Sequence, residues 1–220
     1  GRGKKLANSS SFDCCTCKRR NAKLENQRMA PLPEFRLKPA PPFHTTHVDL
    51  FGPILIKDSV KKRVSSKVWG VLFCCSVTTA IHLEVTENYS TDSFIQALKR
   101  FMNLRNTPAT IISDPGTQLM SAAKKLGNWD WTKIKETGRG EVEWKFVPTD
   151  SQHYNGLCEA FIKQTKKQLT NAIKVGKFTK GEIDTIFSDV MYIMNSRPLA
   201  VRAGEDPLSA GPITPLHLLG

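Results

Sequence analysis

The chain has 220 residues, 40% of them hydrophobic, which allows one substantial domain with an appendage or two small domains. Lysine and arginine outnumber the acidic residues, giving a formal net charge of +12 and a pI of about 9.6. This charge favours a polyanionic partner, with nucleic acid first, an anionic membrane surface second, and a basic protein without such a partner as the remaining alternative. Because no apolar run reaches the length of a membrane span, we expect no membrane insertion.

Residues 1–42 differ in composition from the rest of the chain. Cys14 and Cys17 form a C-x-x-C pair, which is the spacing of half a tetrahedral zinc site. No histidine precedes this pair, so we expect zinc to bind only with residues outside this chain. Repeated prolines predict an extended linker over residues 30–42. The chain begins within this pattern and without a methionine, and we expect it to be part of a longer protein.

Three strands in a meander are predicted next, over residues 46–56, 68–77 and 80–86. The second strand is nearly all apolar, as in a strand covered on both faces, so Cys74 and Cys75 within it are predicted to be buried thiols. The six cysteines of the chain show no disulfide framework, which favours a reducing compartment.

Helices and short strands alternate after residue 90. The pattern predicts helices over 91–105, from 117 to about 126, from 157 to near Gly176, and over 180–195, with short strands over 109–113 and 142–147 between them. The last helix is predicted to bury Ile183, Ile186, Phe187, Val190, Ile193 and Met194. This order predicts an α/β fold over residues 43–200, a mixed five-stranded sheet flanked by helices, followed by a C-terminal extension over 201–220.

Three carboxylates lie at positions suited to a metal site. Asp49 lies in the middle of a strand, where a charge is costly unless it is paired or binds a cation. Asp114 follows a short strand, at the edge where ligands bind in open α/β sheets, and Glu159 lies in the first turn of a helix. Convergence of the three would favour a hard divalent ion, Mg²⁺ or Mn²⁺. Taken singly, Asp114 is also a common turn residue, and Glu159 a common first-turn acid.

The helix that carries Glu159 also carries a row of lysines. Lys163 and Lys166 follow Glu159 on the same helix face, and Lys167 comes next. We predict that these lysines neutralise DNA phosphates, with a merely solvated helix face as the alternative. In the polar loop before the helix, Gln152 and Asn155 are predicted to contact DNA.

Three segments resemble the motifs of retroviral-type integrase catalytic cores. They are THVDLFGP around Asp49, ISDPGTQ around Asp114, and HYNGLCEAFIKQTKKQL around Glu159. Other segments are similar to integrases of BEL/Pao LTR retrotransposons: RMAPLPEFRLKPAPPF, VWGVLFCCSVTTAIHLEV, TDSFIQALKRF, NSRPL and PITPLHLLG. The sequence departs from the family pattern after Asp114, where Pro115 replaces the usual asparagine, and around the glutamate, where Cys158 and Ala160 replace an aromatic residue and an arginine.

The resemblance implies an RNase H-like fold and a polynucleotidyl transferase. Asp49, Asp114 and Glu159 would be the D, D and E that bind two divalent ions, and CCTCKRR would be the tail of the zinc-binding domain that precedes the core. The implied reaction is 3′-end processing of element DNA followed by strand transfer into target DNA. The implied partners are double-stranded DNA and further copies of the chain, with assembly in the cytoplasm and integration in the nucleus.

Two alternative functions remain open at the level of sequence. One is a domesticated or catalytically weak integrase-like domain that binds DNA or assembles with a partner. The other is an RNase H-like nuclease that cleaves DNA without joining it.

Overall fold

The computed structural model describes Cys15 and residues 34–57, 65–132, 140–147, 156–173, 176, 178–200 and 211–219. The chain divides into two compact units, Gly1–Leu32 and Pro33–Gly220. The second unit contains the following helices and strands in chain order: α1 (Glu34–Leu37), β1 (Thr45–Lys57), β2 (Ser65–Cys75), β3 (Ile81–Thr86), α2 (Thr91–Arg105), β4 (Thr110–Ser113), α3 (Thr117–Gly127), β5 (Glu143–Phe146), α4 (Gly156–Ile173), α5 (Lys180–Asn195) and α6 (Pro215–Leu218). In these ranges no helix combines the length and the apolar character that crossing a membrane requires.

The five strands form one mixed sheet in the order β3-β2-β1-β4-β5. Strand β1 is antiparallel to β2 on one side and parallel to β4 on the other. The outer pairs are β2 with β3, antiparallel, and β4 with β5, parallel. The predicted meander, the five-stranded mixed sheet and the RNase H-like α/β architecture are therefore confirmed.

Apolar clusters cover both faces of the sheet. Because successive side chains of a strand point to opposite faces, Val71 and Phe73 of β2 join one cluster, whereas Leu72 and Cys74 join the other. The first cluster takes its helical residues from α2 and α3, and the second takes them from α4 and α5. Cys74 and Cys75 are fully buried, as predicted.

Local capping explains why the predicted starts of two helices agree with the structure. Helix α2 begins after Ser90, whose hydroxyl accepts a hydrogen bond from the Ser93 backbone N–H at 3.3 Å. Helix α5 begins with a capping box between Thr179 and Glu182. Hydrogen bonds from the Thr179 backbone N–H and hydroxyl lower the pKa of Glu182.

An ion-pair network ties the edge strand β3 to α2. Glu84 lies between His82, at 3.0 Å from Nε2, and Arg100, at 2.6 Å from Nε. Burial alone would raise the pKa of Glu84, but the hydrogen bonds from His82 and Arg100 outweigh it and lower that pKa. The network therefore holds the outer edge of the sheet to the first helix layer.

Four details differ from the sequence-based expectations. The predicted linker contains α1, in which Glu34 and Lys38 form an ion pair at 2.8 Å one helical turn apart. Ile193 is 60% exposed rather than buried, because it lies at the margin of the α5 face that packs on the sheet. Strand β2 begins at Ser65 and ends at Cys75. Helix α4 is described as far as Ile173, and residues 174–175, before Gly176, lie outside the described residues, so its predicted end near Gly176 stays a prediction. The C-terminal extension includes α6, whose first turn is capped by Thr214.

Strand β1 contains a bulge shortly after Asp49. The register of β1 with β2 shifts between Phe51 and Ile54, where Gly52 has a φ of 133° and a cis peptide bond joins it to Pro53. Opposite this bulge, the ring of Phe51 lies over Gly70, and a Cβ at position 70 would be only 2.1 Å from Phe51 Cζ. Because Gly70 has no side chain, the Phe51 ring can occupy the space where a Cβ would lie.

We predict that Gly70→Ala destabilises the protein by about 1–3 kcal/mol, the usual cost of adding a carbon to a packed site. The Phe51 ring must move, and it stacks on Phe187 with centroids 5.9 Å apart. The matched control is Gly181→Ala on α5, where an added Cβ meets nothing within 4 Å. This control should leave stability unchanged or raise it by up to about 1 kcal/mol. Equal urea midpoints for the two variants would contradict the packing argument.

Candidate active site

Two of the three predicted acids lie at equivalent positions along neighbouring strands of the sheet. The last paired residues of the parallel strands β1 and β4 are Val48 and Ser113. Asp49 and Asp114 are the next residues, and neighbouring strands lie about 4.8 Å apart. The structure therefore places Asp49 within β1 and Asp114 directly after β4, at equivalent positions along these neighbouring strands.

The Asp49 carboxylate points toward the face of the sheet that α4 and α5 cover. Val48 belongs to the buried cluster on the opposite face. Asp49 is paired with Leu72 of β2, and Leu72 belongs to the cluster that contains residues of α4 and α5. There the ammonium of Lys166 on α4 donates to Asp49 Oδ2 at 2.5 Å. The two side chains are 29% and 37% exposed for Asp49 and Lys166. The cation that Asp49 requires is thus supplied by the chain itself, from one of the lysines predicted to contact DNA.

Glu159 lies in the first turn of α4 and is exposed. Seven residues separate it from Lys166, which corresponds to about two helical turns, or ~10.5 Å, along one helix face. Lys163 and Lys167 are exposed on the same helix. Helix α4 therefore carries Glu159 in its first turn and, further along, a row of cations of which Lys166 contacts Asp49.

The three acids are not drawn into one cluster. Among the described residues, which include Asp49, Asp114 and Glu159, no group of three or more His, Cys, Asp or Glu side chains is placed to hold a metal ion. Like charges repel, so three carboxylates gather only around a cation. The donor chemistry nonetheless fits a hard divalent ion, because all three residues offer carboxylate oxygens and Asp49 already holds a cationic group.

A hydrogen-bond relay from β5 fixes the backbone before Asp114. The Trp144 indole N–H donates to Ser113 Oγ at 2.9 Å, and the Ser113 hydroxyl donates to the Asp114 carbonyl at 3.1 Å. The Gly116 N–H donates to the same carbonyl at 2.8 Å. This role of Trp144 was not predicted, since the local sequence shows only a tryptophan on a short strand.

Arg197 anchors the first half of α4 to the rest of the domain. Its Cζ lies 3.9 Å from the centroid of the Phe161 ring, two residues beyond Glu159. The guanidinium also donates to the carbonyls of Met194 and Thr79 and to the Thr79 hydroxyl. Burial lowers the pKa of Arg197. Arg197 lies in the NSRPL segment, but no role was predicted for it.

Four predicted site residues lie outside the described residues: Cys14, Cys17, Gln152 and Asn155. Their predicted roles in zinc and DNA binding stay predictions. Cys15, between the two predicted zinc ligands, is exposed.

No protein-family model matches the sequence, and no curated protein matches it. Among solved structures, the chain is similar to a chain of the simian T-cell lymphotropic virus intasome in complex with PP2A regulatory subunit B56 gamma, with a TM-score of 0.53 and 12% identity over 97% of this chain and 66% of that one. It is also similar to the HTLV-2 integrase catalytic core domain in complex with magnesium. The trimeric form gives a TM-score of 0.49 and 13% identity, covering 83% of this chain and 100% of that one. The dimeric form gives 0.45 and 14%, covering 77% and 97%.

The similarity to the intasome chain shows that this chain shares its fold. The chain spans 66% of the length of that intasome chain.

We predict that Arg197→Lys destabilises the protein by about 1.5–3 kcal/mol, because an ammonium cannot replace the planar fork that bonds several acceptors and stacks on Phe161. Arg36→Lys, on the short helix α1, is the matched control and should change stability by less than about 0.5 kcal/mol. Chemical unfolding followed by circular dichroism measures both. An Arg197→Lys midpoint equal to that of the control would remove Arg197 as an anchor of α4.

Proposed function

We propose that this chain is the catalytic core of a DNA integrase of a BEL/Pao-type LTR retrotransposon. One observation carries the proposal. Asp49 within β1 and Asp114 at the carboxyl end of β4 occupy equivalent positions on two parallel neighbouring strands of an integrase-type sheet, and Lys166 ties the helix bearing Glu159 to Asp49. Ligands of open α/β sheets bind at this end of the strands.

The proposed reaction is a pair of phosphodiester exchanges. In 3′-end processing, water attacks a phosphodiester near the end of the element DNA, and its P–O3′ bond breaks to leave a free 3′-OH. In strand transfer, that 3′-OH attacks a target phosphodiester and releases the target 3′ oxygen. Two divalent ions, Mg²⁺ or Mn²⁺, would supply activation of the attacking oxygen and stabilisation of the leaving oxygen when bound by the three carboxylates.

The residues of the chain perform binding and orientation in this proposal. Asp49, Asp114 and Glu159 hold the ions, and β1, β4 and α4 set their spacing. Lys163 and Lys167, exposed beyond Glu159, neutralise phosphates of the bound duplex. The net charge of +12 raises the local concentration of the polyanionic substrate.

A second candidate is a domain that binds DNA or assembles with partners without catalysis. The observation in its favour is that the three acids are not placed together as a metal site and that Lys166 neutralises one of them. An RNase H-like nuclease that cleaves without joining is separated from the integrase by a joining assay.

Further parts of the proposal concern the cellular context. We propose that the chain acts as a homo-oligomer on double-stranded element and target DNA, in the nucleus after cytoplasmic assembly. Any zinc would be held by Cys14 and Cys17 together with residues outside this chain.

The triad is tested by Asp49→Asn, Asp114→Asn and Glu159→Gln. Each change removes a charged oxygen ligand while keeping the side-chain shape, so each should reduce Mg²⁺-dependent joining of labelled duplex DNA to background. Asp189→Asn, at an exposed acid on α5, is the control and should join like the wild type. Thermal unfolding checks that all four variants are folded. Cleavage without joining by the wild type would favour the nuclease, and DNA binding without either reaction would favour the binding module.

The lysine row is tested by the salt dependence of DNA affinity. Lys163→Gln with Lys166→Gln should weaken duplex binding at low salt and flatten log K against log[salt] by up to about two contacts, each worth about 0.9 in slope. The loss should be similar for different DNA sequences, because phosphates carry no base identity.

The control for this pair is Lys124→Gln with Lys125→Gln. It removes the same charge from α3, which packs on the opposite face of the sheet. Coincident salt plots for the α4 pair and the wild type would mean that these lysines form only a solvated face. A loss confined to one DNA sequence would mean that they read bases.

A further inference from the structure

Lys166 is the one lysine of the α4 row that does not simply face solvent. Lys163 and Lys167 are exposed, whereas Lys166 is half-buried and bonded to Asp49 Oδ2 at 2.5 Å. Its Nζ also lies 5.8 Å from the centroid of the Phe51 ring. The Lys166 ammonium is therefore bonded to the Asp49 carboxylate, which the proposed function assigns to a divalent ion.

Space for a second position of this ammonium lies next to it. A groove of about 590 Å³ runs beside Lys166 between the bulged part of β1 and the second half of α4. Its lining includes Phe51, Pro53, Leu55, Leu169 and Thr170. The apolar stem of a lysine can lie along such a surface while its charged end stays in water.

We propose that Lys166 is a displaceable counter-ion, which competes with a divalent cation for Asp49 and becomes available to a DNA phosphate when that cation binds. The proposal rests on the proposed metal-binding function of Asp49. Its physical basis is that an ammonium and a divalent ion on one carboxylate repel each other, so occupancy by one disfavours the other.

Such competition couples the two ligands of the site. Metal binding would add one phosphate-binding cation to the α4 row, and bound DNA, by holding the ammonium away from Asp49, would raise the affinity for the metal by the same factor. Without metal, Lys166 would keep Asp49 neutralised and α4 attached to β1.

The first experiment measures how accessible the Lys166 amine is. The whole chain is treated briefly with an acetylating reagent, with and without saturating Mg²⁺, and acetylation at each lysine is quantified by mass spectrometry. An amine bonded to a carboxylate reacts slowly, so Mg²⁺ should raise the Lys166 rate several-fold. The rates at the exposed Lys163 and Lys124 serve as internal references and should stay constant.

The second experiment measures Mn²⁺ affinity from the electron paramagnetic resonance signal of free Mn²⁺. Lys166→Gln removes the competitor and should tighten Mn²⁺ binding by about two- to fivefold, the range that a partly exposed ion pair is worth. Lys167→Gln removes an equal charge from the neighbouring exposed position and should have a smaller effect. Lys166→Arg keeps the competing cation and should not tighten binding.

The outcomes separate this inference from the function on which it rests. If Mn²⁺ binds but the acetylation rate of Lys166 does not change with metal, the competition is wrong and the metal site stands. If the wild type binds no Mn²⁺ at millimolar concentration, and Asp49→Asn changes nothing, both ideas are overturned. Equal tightening by Lys167→Gln and Lys166→Gln would show a general charge effect and would also overturn the competition.

Discussion

A carboxylate in the middle of the central strand is the constraint on which this structure depends. Asp49 is paired with Leu72 of β2, so it cannot leave the sheet without disturbing the ladder between β1 and β2. A partly buried charge without a partner is costly, and the chain supplies Lys166 from 117 positions further along. The ion pair joins α4 to the sheet on the same side of the helix as the buried Thr165 and Leu169. Glu159 lies two turns earlier on α4.

Helix α4 is held in a different way from its neighbour. Helix α5 buries Ile183, Phe187, Val190 and Met194 against the sheet, which is an ordinary apolar contact. Helix α4 has fewer fully buried side chains among those described, with Leu169 at 2% and Thr165 at 0% exposure. Its placement therefore depends more on polar and cation–aromatic contacts, namely Lys166 on Asp49 and Arg197 on Phe161. Its exposed face carries Lys163 and Lys167.

The other acid of the sheet is positioned through the backbone. Ser113 is buried at 3% exposure, accepts a hydrogen bond from Trp144 and donates one to the Asp114 carbonyl. The short strand β5 thereby fixes the end of β4, although β5 itself is largely exposed. The two acids are thus set by two separate devices, a side-chain ion pair for Asp49 and a relay through the neighbouring strand for Asp114. The two acids therefore take their positions from different elements, α4 for Asp49 and β5 for Asp114.

The sequence by itself determined the order of elements from β1 to α5, the mixed five-stranded sheet and the elements on or beside which the three acids lie. The apolar run of β2 and the helical spacing of Phe94, Leu98 and Phe101 report burial directly, because each follows from local geometry. Partners distant in sequence were decided only by the tertiary structure. Lys166 and Lys163 both lie in the lysine row of α4. Nothing in the local sequence distinguishes Lys166, which bonds to Asp49, from Lys163, which faces solvent. Arg197 and Trp144 likewise gained their roles from chain segments packed against them, since a side chain's partner depends on which elements the fold brings together.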